Sequence, residues 1–250
     1  VPGTRAPLYQ LGSLLKDANN KKTISLVTNP FYHAWRAGAM ASGTTIHWMN
    51  ATKTSDWLPN LYNLESSVLD KCSIMYICTP SNPHGKCASL TWLKDTINIC
   101  RKHKVILCVD ECYADIYRDN VSPPAGIIEA ISELGEGFKG VVALHSLSKR
   151  SSAAGLRAGF MIGDSSIIAM YRKLIANTGV VVSEPQLRAA EALYNDDEHV
   201  RKNRYFYDTN FAISEKLLKV PKPHGGFFHF IPVKNDIEAA KHLWEYHAIK

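Results

Sequence analysis

The chain has 250 residues, 46% of them hydrophobic and 21% charged, enough apolar material for one large core or for a large and a small one. That composition excludes a disordered chain, and no apolar run approaches the roughly 18–20 residues that a membrane span needs, so no membrane partner is expected. The net charge of +6 comes from lysines and arginines spread along the chain, so no nucleic-acid partner is expected, and residues 1–9 lack the zones of an export signal.

In chain order, a short Gly3-Thr4-Arg5 loop leads into a helical stretch over residues 8–15. Short apolar runs rich in β-branched residues follow at 23–28, 44–48, 73–78, 105–109, 141–144 and 157–162, with helical segments between most of them. Between the third and fourth, Leu90, Leu93, Ile97 and Cys100 recur at spacings of three and four, the pattern of a crossover helix with one apolar face. This alternation predicts an α/β fold with a mainly parallel sheet sandwiched by helices. After Gly163 the pattern turns helical over 167–176, 185–194 and the long 198–218, and a single aromatic strand is expected at 226–231. The expected organisation is a large α/β domain over residues 1–195 and the start of a smaller α+β domain over 196–250. The chain opens with no strand before Pro2 and closes at Lys250 in a helix-like segment, and an incomplete chain is the expectation drawn from both ends.

The six cysteines lie in apolar segments without CxxC pairs or histidines at zinc spacing; they read as reduced, mostly buried thiols of a cytoplasmic protein, and no metal site is expected.

Polar clusters fall where parallel strands end, the place where open α/β sheets put their ligand crevices. Thr79-Pro80-Ser81-Asn82-Pro83-His84-Gly85 follows the third run, Asp110-Glu111-Cys112-Tyr113 the fourth, and His145-Ser146-Leu147-Ser148-Lys149-Arg150 the fifth, with Arg157 eight residues beyond Lys149. Each element alone is common. Lys149 alone reads as a solvated surface lysine, Asp110 as a helix N-cap, Tyr113 as a core tyrosine, Asn82 as a turn residue and Gly3-Thr4 as a plain turn.

The ordered set Asn-Pro-x-Gly, Asp-x-x-Tyr, Ser-x-x-Lys and a later Arg resembles the fold-type-I, class I and II aminotransferases, over essentially the whole chain. Three stretches, His145 to Arg150, Gly155-Leu-Arg-Ala-Gly-Phe and Asn195-Asp-Asp-Glu-His-Val-Arg, are similar to N-succinyldiaminopimelate aminotransferases. The resemblance implies pyridoxal 5′-phosphate as cofactor, amino acids and oxo acids as substrates, and a homodimer. It implies that Lys149 holds the cofactor as a Schiff base, a role suited to a flexible amine on a strand-end loop that swings out to serve as acid and base. The ring nitrogen must stay protonated for the cofactor to act as an electron sink, and Asp110, after a very apolar strand, is the carboxylate to hold it so. Tyr113 and Asn82 would hydrogen-bond the phenolic oxygen. Gly3, Thr4 and Arg5 offer amides at a helix start and a cation to the phosphate, and the resemblance adds Ser146, Ser148 and Arg157 there. Tyr32 is similar to the aromatic that stacks on the ring, with Phe31 as the alternative. Gly225, Gly226, Phe227 and Phe228 resemble a strand near the substrate, or a buried strand with no such role. The family's arginine for the substrate α-carboxylate has no counterpart in this chain.

The expected activity is transfer of an amino group from glutamate to an oxo acid, N-succinyl-2-amino-6-oxopimelate by the narrower resemblance. An aspartate- or aromatic-type aminotransferase and a carbon–sulfur β-lyase use the same motifs, and a non-catalytic effector-binding domain of this fold is the reading from another class.

Overall fold

The apolar runs become strands because they can be buried on both faces of one sheet. In the computed structural model, which describes residues 1–16, 19, 21–118 and 121–249, the strands are β1 Ile24–Asn29, β2 Thr45–Asn50, β3 Cys72–Cys78, β4 Ile106–Asp110, β5 Val141–Ser146 and β6 Gly159–Gly163. Each of the six predicted strands is present, its bounds moved by one or two residues. The helices are α1 Arg5–Leu14, α2 His33–Ser42, α3 Ser66–Leu69, α4 Leu90–Lys102, α5 Ile127–Leu134, α6 Leu147–Arg150, α7 Ser165–Thr178, α8 Glu184–Tyr194, α9 Glu198–Leu218 and α10 Asp236–His247. None is long and apolar enough to cross a membrane. The final residue, Lys250, lies outside the described residues.

The sheet order is β2-β1-β3-β4-β5-β6, parallel throughout except for β6, which runs antiparallel to β5. Side chains alternate across the central strand β3, whose seven residues are all buried. Met75 and Ile77 join Leu26, Leu107, Val109 and Ala143 against α4 and α5, through Leu93, Ile97, Cys100 and Ile131. Ile74, Tyr76 and Cys78 join Val27, Cys108, Val142 and Leu144 on the other face, against Leu8, Leu11, Trp35, Ile167 and Tyr171 of α1, α2 and α7. Each fully buried aliphatic side chain contributes about 1.5–3 kcal/mol, and the two layers together fix which end of the sheet the strand-end loops share.

The aromatic segment predicted as a strand at 226–231 is not one. Gly225 makes an isolated antiparallel bridge to Tyr117, and among the described residues no extended segment continues the pairing. A strand needs a ladder partner as well as a pattern; here Phe227 and Phe228 instead turn their rings edge-on to Tyr113, with centroids 5.6 and 5.3 Å away.

Helices α1 and α2 approach closely because each carries a glycine at the contact. A Cβ on Gly12 would lie 2.4 Å from the Gly38 carbonyl oxygen, and one on Gly38 would lie 2.8 Å from the Tyr9 carbonyl oxygen. Both obstacles are backbone, which cannot swing aside. Gly12→Ala is therefore expected to lower stability by about 1–3 kcal/mol despite alanine's better helix propensity. Denaturant unfolding would show this as a lower midpoint at unchanged slope; an unchanged or raised midpoint would mean that the two helices can part without cost.

Candidate active site

Five strands of one direction end at the same edge, and three of those ends supply most of the polar side chains of a single cavity of about 300 Å³. Asp110 is the last residue of β4, paired in register with Cys78 of β3 and Leu144 of β5. Asn82 follows β3, and Ser146, Ser148 and Lys149 lie at and just after the end of β5. Thr4, Arg5, Tyr32, Tyr113 and Arg157 complete the predicted set, so that ten of the eleven sequence-predicted site residues line this cavity. The eleventh, Gly3, stands behind Arg157: a Cβ there would meet the Arg157 Nη2 at 2.6 Å, and Gly3 has a positive φ of 71°. Its contribution is room for the guanidinium.

Local structure explains each placement. Ser146 ends β5 and caps the single turn α6, accepting from the Ser148 N–H at 3.1 Å, so the chain reverses at once and carries Lys149 over the sheet edge. The Ser146 hydroxyl also meets the Ser148 hydroxyl at 3.0 Å. Arg157 occupies the left-handed region at φ 54°, unusual for a residue with a Cβ, and its guanidinium donates to the carbonyls of Ala154 at 2.9 Å and Pro2 at 3.2 Å and to the Ser148 hydroxyl at 3.4 Å. Arg5 donates to the Tyr32 hydroxyl at 3.0 Å. Of the two neighbouring aromatics, Tyr32 lines the cavity while Phe31 packs on Trp48 with centroids 5.0 Å apart. Asn82 donates to the Tyr113 hydroxyl at 3.4 Å, and Lys149 Nζ sits 6.0 Å from the centre of the Tyr113 ring and 5.1 Å from that of Phe227.

The electrostatics are set by burial. Asp110 is 3% exposed, with one backbone N–H, that of Cys112, at 3.3 Å from Oδ1, and among the described residues no cation lies within ion-pair distance. Desolvation pushes its carboxyl up to about 6, against the opposing pull of hydrogen bonds from Cys112 and of nearby His145. Burial also raises the Tyr113 phenol above its ordinary value, so this hydroxyl stays protonated and able to donate.

Trp35, Cys78, Cys112 and Ala154 line the same cavity and were not singled out from the sequence. A signal existed for two of them: Trp35 lies one helical turn after Tyr32, and Cys112 two residues after Asp110. Among the described residues, the buried Trp35 indole N–H has no hydrogen-bond partner. Phe227 was anticipated as part of a strand, yet it reaches Lys149 from a loop.

The fold thus brings a lysine on the turn after one sheet strand and a buried carboxylate at the end of the neighbouring strand into one polar cavity. The family described as aminotransferase class I and II matches residues 2–250, and the chain belongs to that family. An aminotransferase from Neisseria meningitidis superposes with a TM-score of 0.94 at 28% identity, covering 100% of this chain and 65% of that one. The aminotransferase AspB from Helicobacter pylori gives a TM-score of 0.91 at 33% identity, with 99% and 65% covered. An LL-diaminopimelate aminotransferase from Dehalococcoides mccartyi is 27% identical over 229 residues, 89% of this chain and 58% of the relative. The chain thus spans about three fifths of the length of such relatives.

The class I and II aminotransferase fold depends on pyridoxal 5′-phosphate, and the cavity's donor set fits that molecule. A buried carboxylate with no cation partner suits a protonated ring nitrogen, a primary amine suits an aldehyde, and two guanidinium groups with two serine hydroxyls suit a phosphate.

Because its carboxyl is raised in the folded state, Asp110 binds its proton more tightly folded than unfolded. It therefore costs no stability below the ordinary carboxyl value and imposes its full penalty above about pH 6. Without added cofactor, Asp110→Asn is expected to stabilise the chain above pH 6, by on the order of 2–3 kcal/mol, and to have no such effect below about pH 4. Thermal or denaturant unfolding across that range is the check, and a pH-independent difference would contradict the desolvation account.

Proposed function

We propose that this chain is the core of an aminotransferase that uses pyridoxal 5′-phosphate to move an amino group between glutamate and 2-oxoglutarate and a second amino acid and oxo acid pair. The observation that carries this reading is the meeting, in one cavity, of Lys149, Asp110, Tyr113, Asn82, Ser146, Ser148 and Arg157. These residues are scattered over 76 positions from Asn82 to Arg157, and a pyridoxal-phosphate site asks for all of them together.

The bound cofactor supplies an electron sink for the charge left when a substrate C–H bond breaks. Lys149 Nζ would hold it covalently and, once released by substrate, act as base and then acid for the migrating proton. Asp110 would stay ionised against the ring nitrogen, its desolvation cost offset by the cation it lacks in the free chain. Tyr113 and Asn82 would donate to the phenolic oxygen. The Thr4 and Arg5 loop, Ser146, Ser148 and Arg157 would hold the phosphate, and Tyr32 would pack on the ring. Gly3 keeps the space that Arg157 needs.

For the second substrate pair, the stretches around Lys149 and Asn195 and the diaminopimelate-aminotransferase name of the Dehalococcoides relative both favour a diaminopimelate-type compound, with N-succinyl-LL-2,6-diaminopimelate as the first candidate. The 33% identity to AspB favours an aspartate-type substrate as the second reading. A division near residue 195 into a large domain and the start of a smaller one, a homodimeric assembly and a cytoplasmic location belong to the same proposal.

Two outcomes test it. Pyridoxal phosphate added to the protein is expected to give a visible absorbance band, and borohydride should fix the label on Lys149, with no band and no 2-oxoglutarate-dependent transamination in Lys149→Ala; label on another lysine would refute the assignment. Arg157→Ala is expected to weaken cofactor binding by about 1.5–3 kcal/mol, or about 10- to 150-fold in Kd, as for a lost hydrogen bond to a charged group. Competition among N-succinyldiaminopimelate, LL-diaminopimelate and aspartate as donors would rank the substrates.

A further inference from the structure

Arg150 follows Lys149 directly, yet it points away from the cavity and is 7% exposed. All three guanidinium nitrogens are engaged, in three directions. Nε lies 3.2 Å from the Asp115 carboxylate, Nη2 donates to Asp197 Oδ1 at 2.6 Å, and Nη1 donates to the Leu193 carbonyl at 2.7 Å. The guanidinium also stands 5.5 Å from the centre of the Tyr194 ring. Asp115 is two residues beyond Tyr113, and Leu193 to Asp197 form the junction between α8 and α9.

The first turns of α9 grip the same stretch of chain a second time. Asn203 donates to the Arg150 carbonyl at 3.3 Å, and His199 Nε2 lies 2.9 Å from the Ser151 hydroxyl. Two of the stretches that stand out in the sequence, His145 to Arg150 and Asn195 to Arg201, are therefore one contact in space. The transfer chemistry uses the first through Lys149 and leaves the second without a task.

We propose that Arg150 is a positioning residue through which the α8–α9 junction holds the Lys149 turn in register with Tyr113. The inference rests on the assignment of Lys149 and Tyr113 as the cofactor's anchor and hydrogen-bond donor. The side chains of Asp115 and Asp197 are 44% and 76% exposed and that of Arg150 is 8% exposed, so water screens the carboxylate ends of the two ion pairs while the guanidinium itself is buried. What the three bonds do achieve is geometric. A rigid planar fork ties together three segments distant in sequence, and Lys149 is covalently the next residue.

Lysine at this position would keep the charge, but its three donors share one nitrogen, which cannot stand where the three separate guanidinium nitrogens meet Asp115, Asp197 and Leu193. Misplacement of a reacting amine by a fraction of an ångström to an ångström is costly to rate and nearly silent in substrate affinity.

The experiment compares the protein with Arg150→Met, Arg150→Lys and Asp197→Asn. As a control, Arg101→Met removes a partly buried arginine that bonds Glu136, Gly137 and Lys139 at the opposite end of the sheet. The first readout is the rate at which pyridoxal phosphate becomes trapped on Lys149, by borohydride quench and peptide mapping; the second is the division of any activity change between kcat and KM. Arg150→Met is expected to slow trapping and lower kcat by about 10- to 100-fold with KM little changed. Arg150→Lys should recover only part of this, and Asp197→Asn should move in the same direction by less. Arg101→Met should leave both readouts at the parent level whatever its melting temperature. Parent-like trapping and kcat in a folded Arg150→Met, or in Asp197→Asn should Arg150→Met fail to fold, would overturn the proposal while leaving Lys149 as anchor. Absence of any trapped Lys149 in the parent protein would instead remove the reading on which it rests.

Discussion

A carboxylate with 3% exposure at the end of an apolar strand is the interaction around which this structure is organised. Asp110 cannot move into water without pulling the end of β4 out of register with β3 and β5, and the two hydrophobic layers on the faces of the sheet hold that register. Its desolvation is met only in part by the Cys112 backbone N–H and the field of His145. A permanent deficit of this kind is tolerated where a cationic ligand offsets it. The rest of the cavity follows from that deficit, with the strand-end loops beside Asp110 supplying an amine, hydroxyls and guanidinium groups within the same 300 Å³.

Rigid elements carry the mobile-looking parts. Lys149 sits on a helix of one turn, which could not persist alone, and it is held from both sides: by the Ser146 cap at its start and by the Arg150 bonds to α8, α9 and the Asp115 loop at its end. Arg157 keeps a left-handed backbone because its side chain spans Pro2, Ala154 and Ser148, and a glycine at position 3 leaves the space. In both cases a polar side chain fixes the backbone, whereas in the sheet the apolar side chains do so. The division is physical. Hydrophobic burial has no direction and sets the layers, while hydrogen bonds have direction and set the site.

Much of this was legible in the residues. The strands were, because a strand buried on both faces of a parallel sheet reads as a short continuous apolar run, and β3 with its seven buried residues is the clearest case. Asn82, Asp110, Tyr113, Ser146, Ser148 and Lys149 were, because they fall at or just past the ends of such runs in an ordered chemical set. The segment at 226–231 misled for the converse reason: its aromatic residues resemble a strand, but pairing requires a neighbour, which a one-dimensional pattern does not encode. Cys78 carried no such signal, because a cysteine in an apolar strand is an ordinary core residue and only its placement turns it toward the cavity.

The sequence by itself determined the sheet strands, the crossover helices and the identities of Lys149, Asp110, Tyr113, Asn82 and Arg157 as a chemical set, since local periodicity and residue chemistry are properties of the chain. Tertiary structure alone decided that Tyr32 rather than Phe31 faces the cavity, that Gly3 serves Arg157 from behind, and that the segment from Leu193 to Asn203 closes on Arg150 some 43 to 53 residues earlier in the chain. Those choices depend on which surfaces meet once the two apolar layers have formed, and directional bonds between distant segments exist only after that burial has brought them within reach.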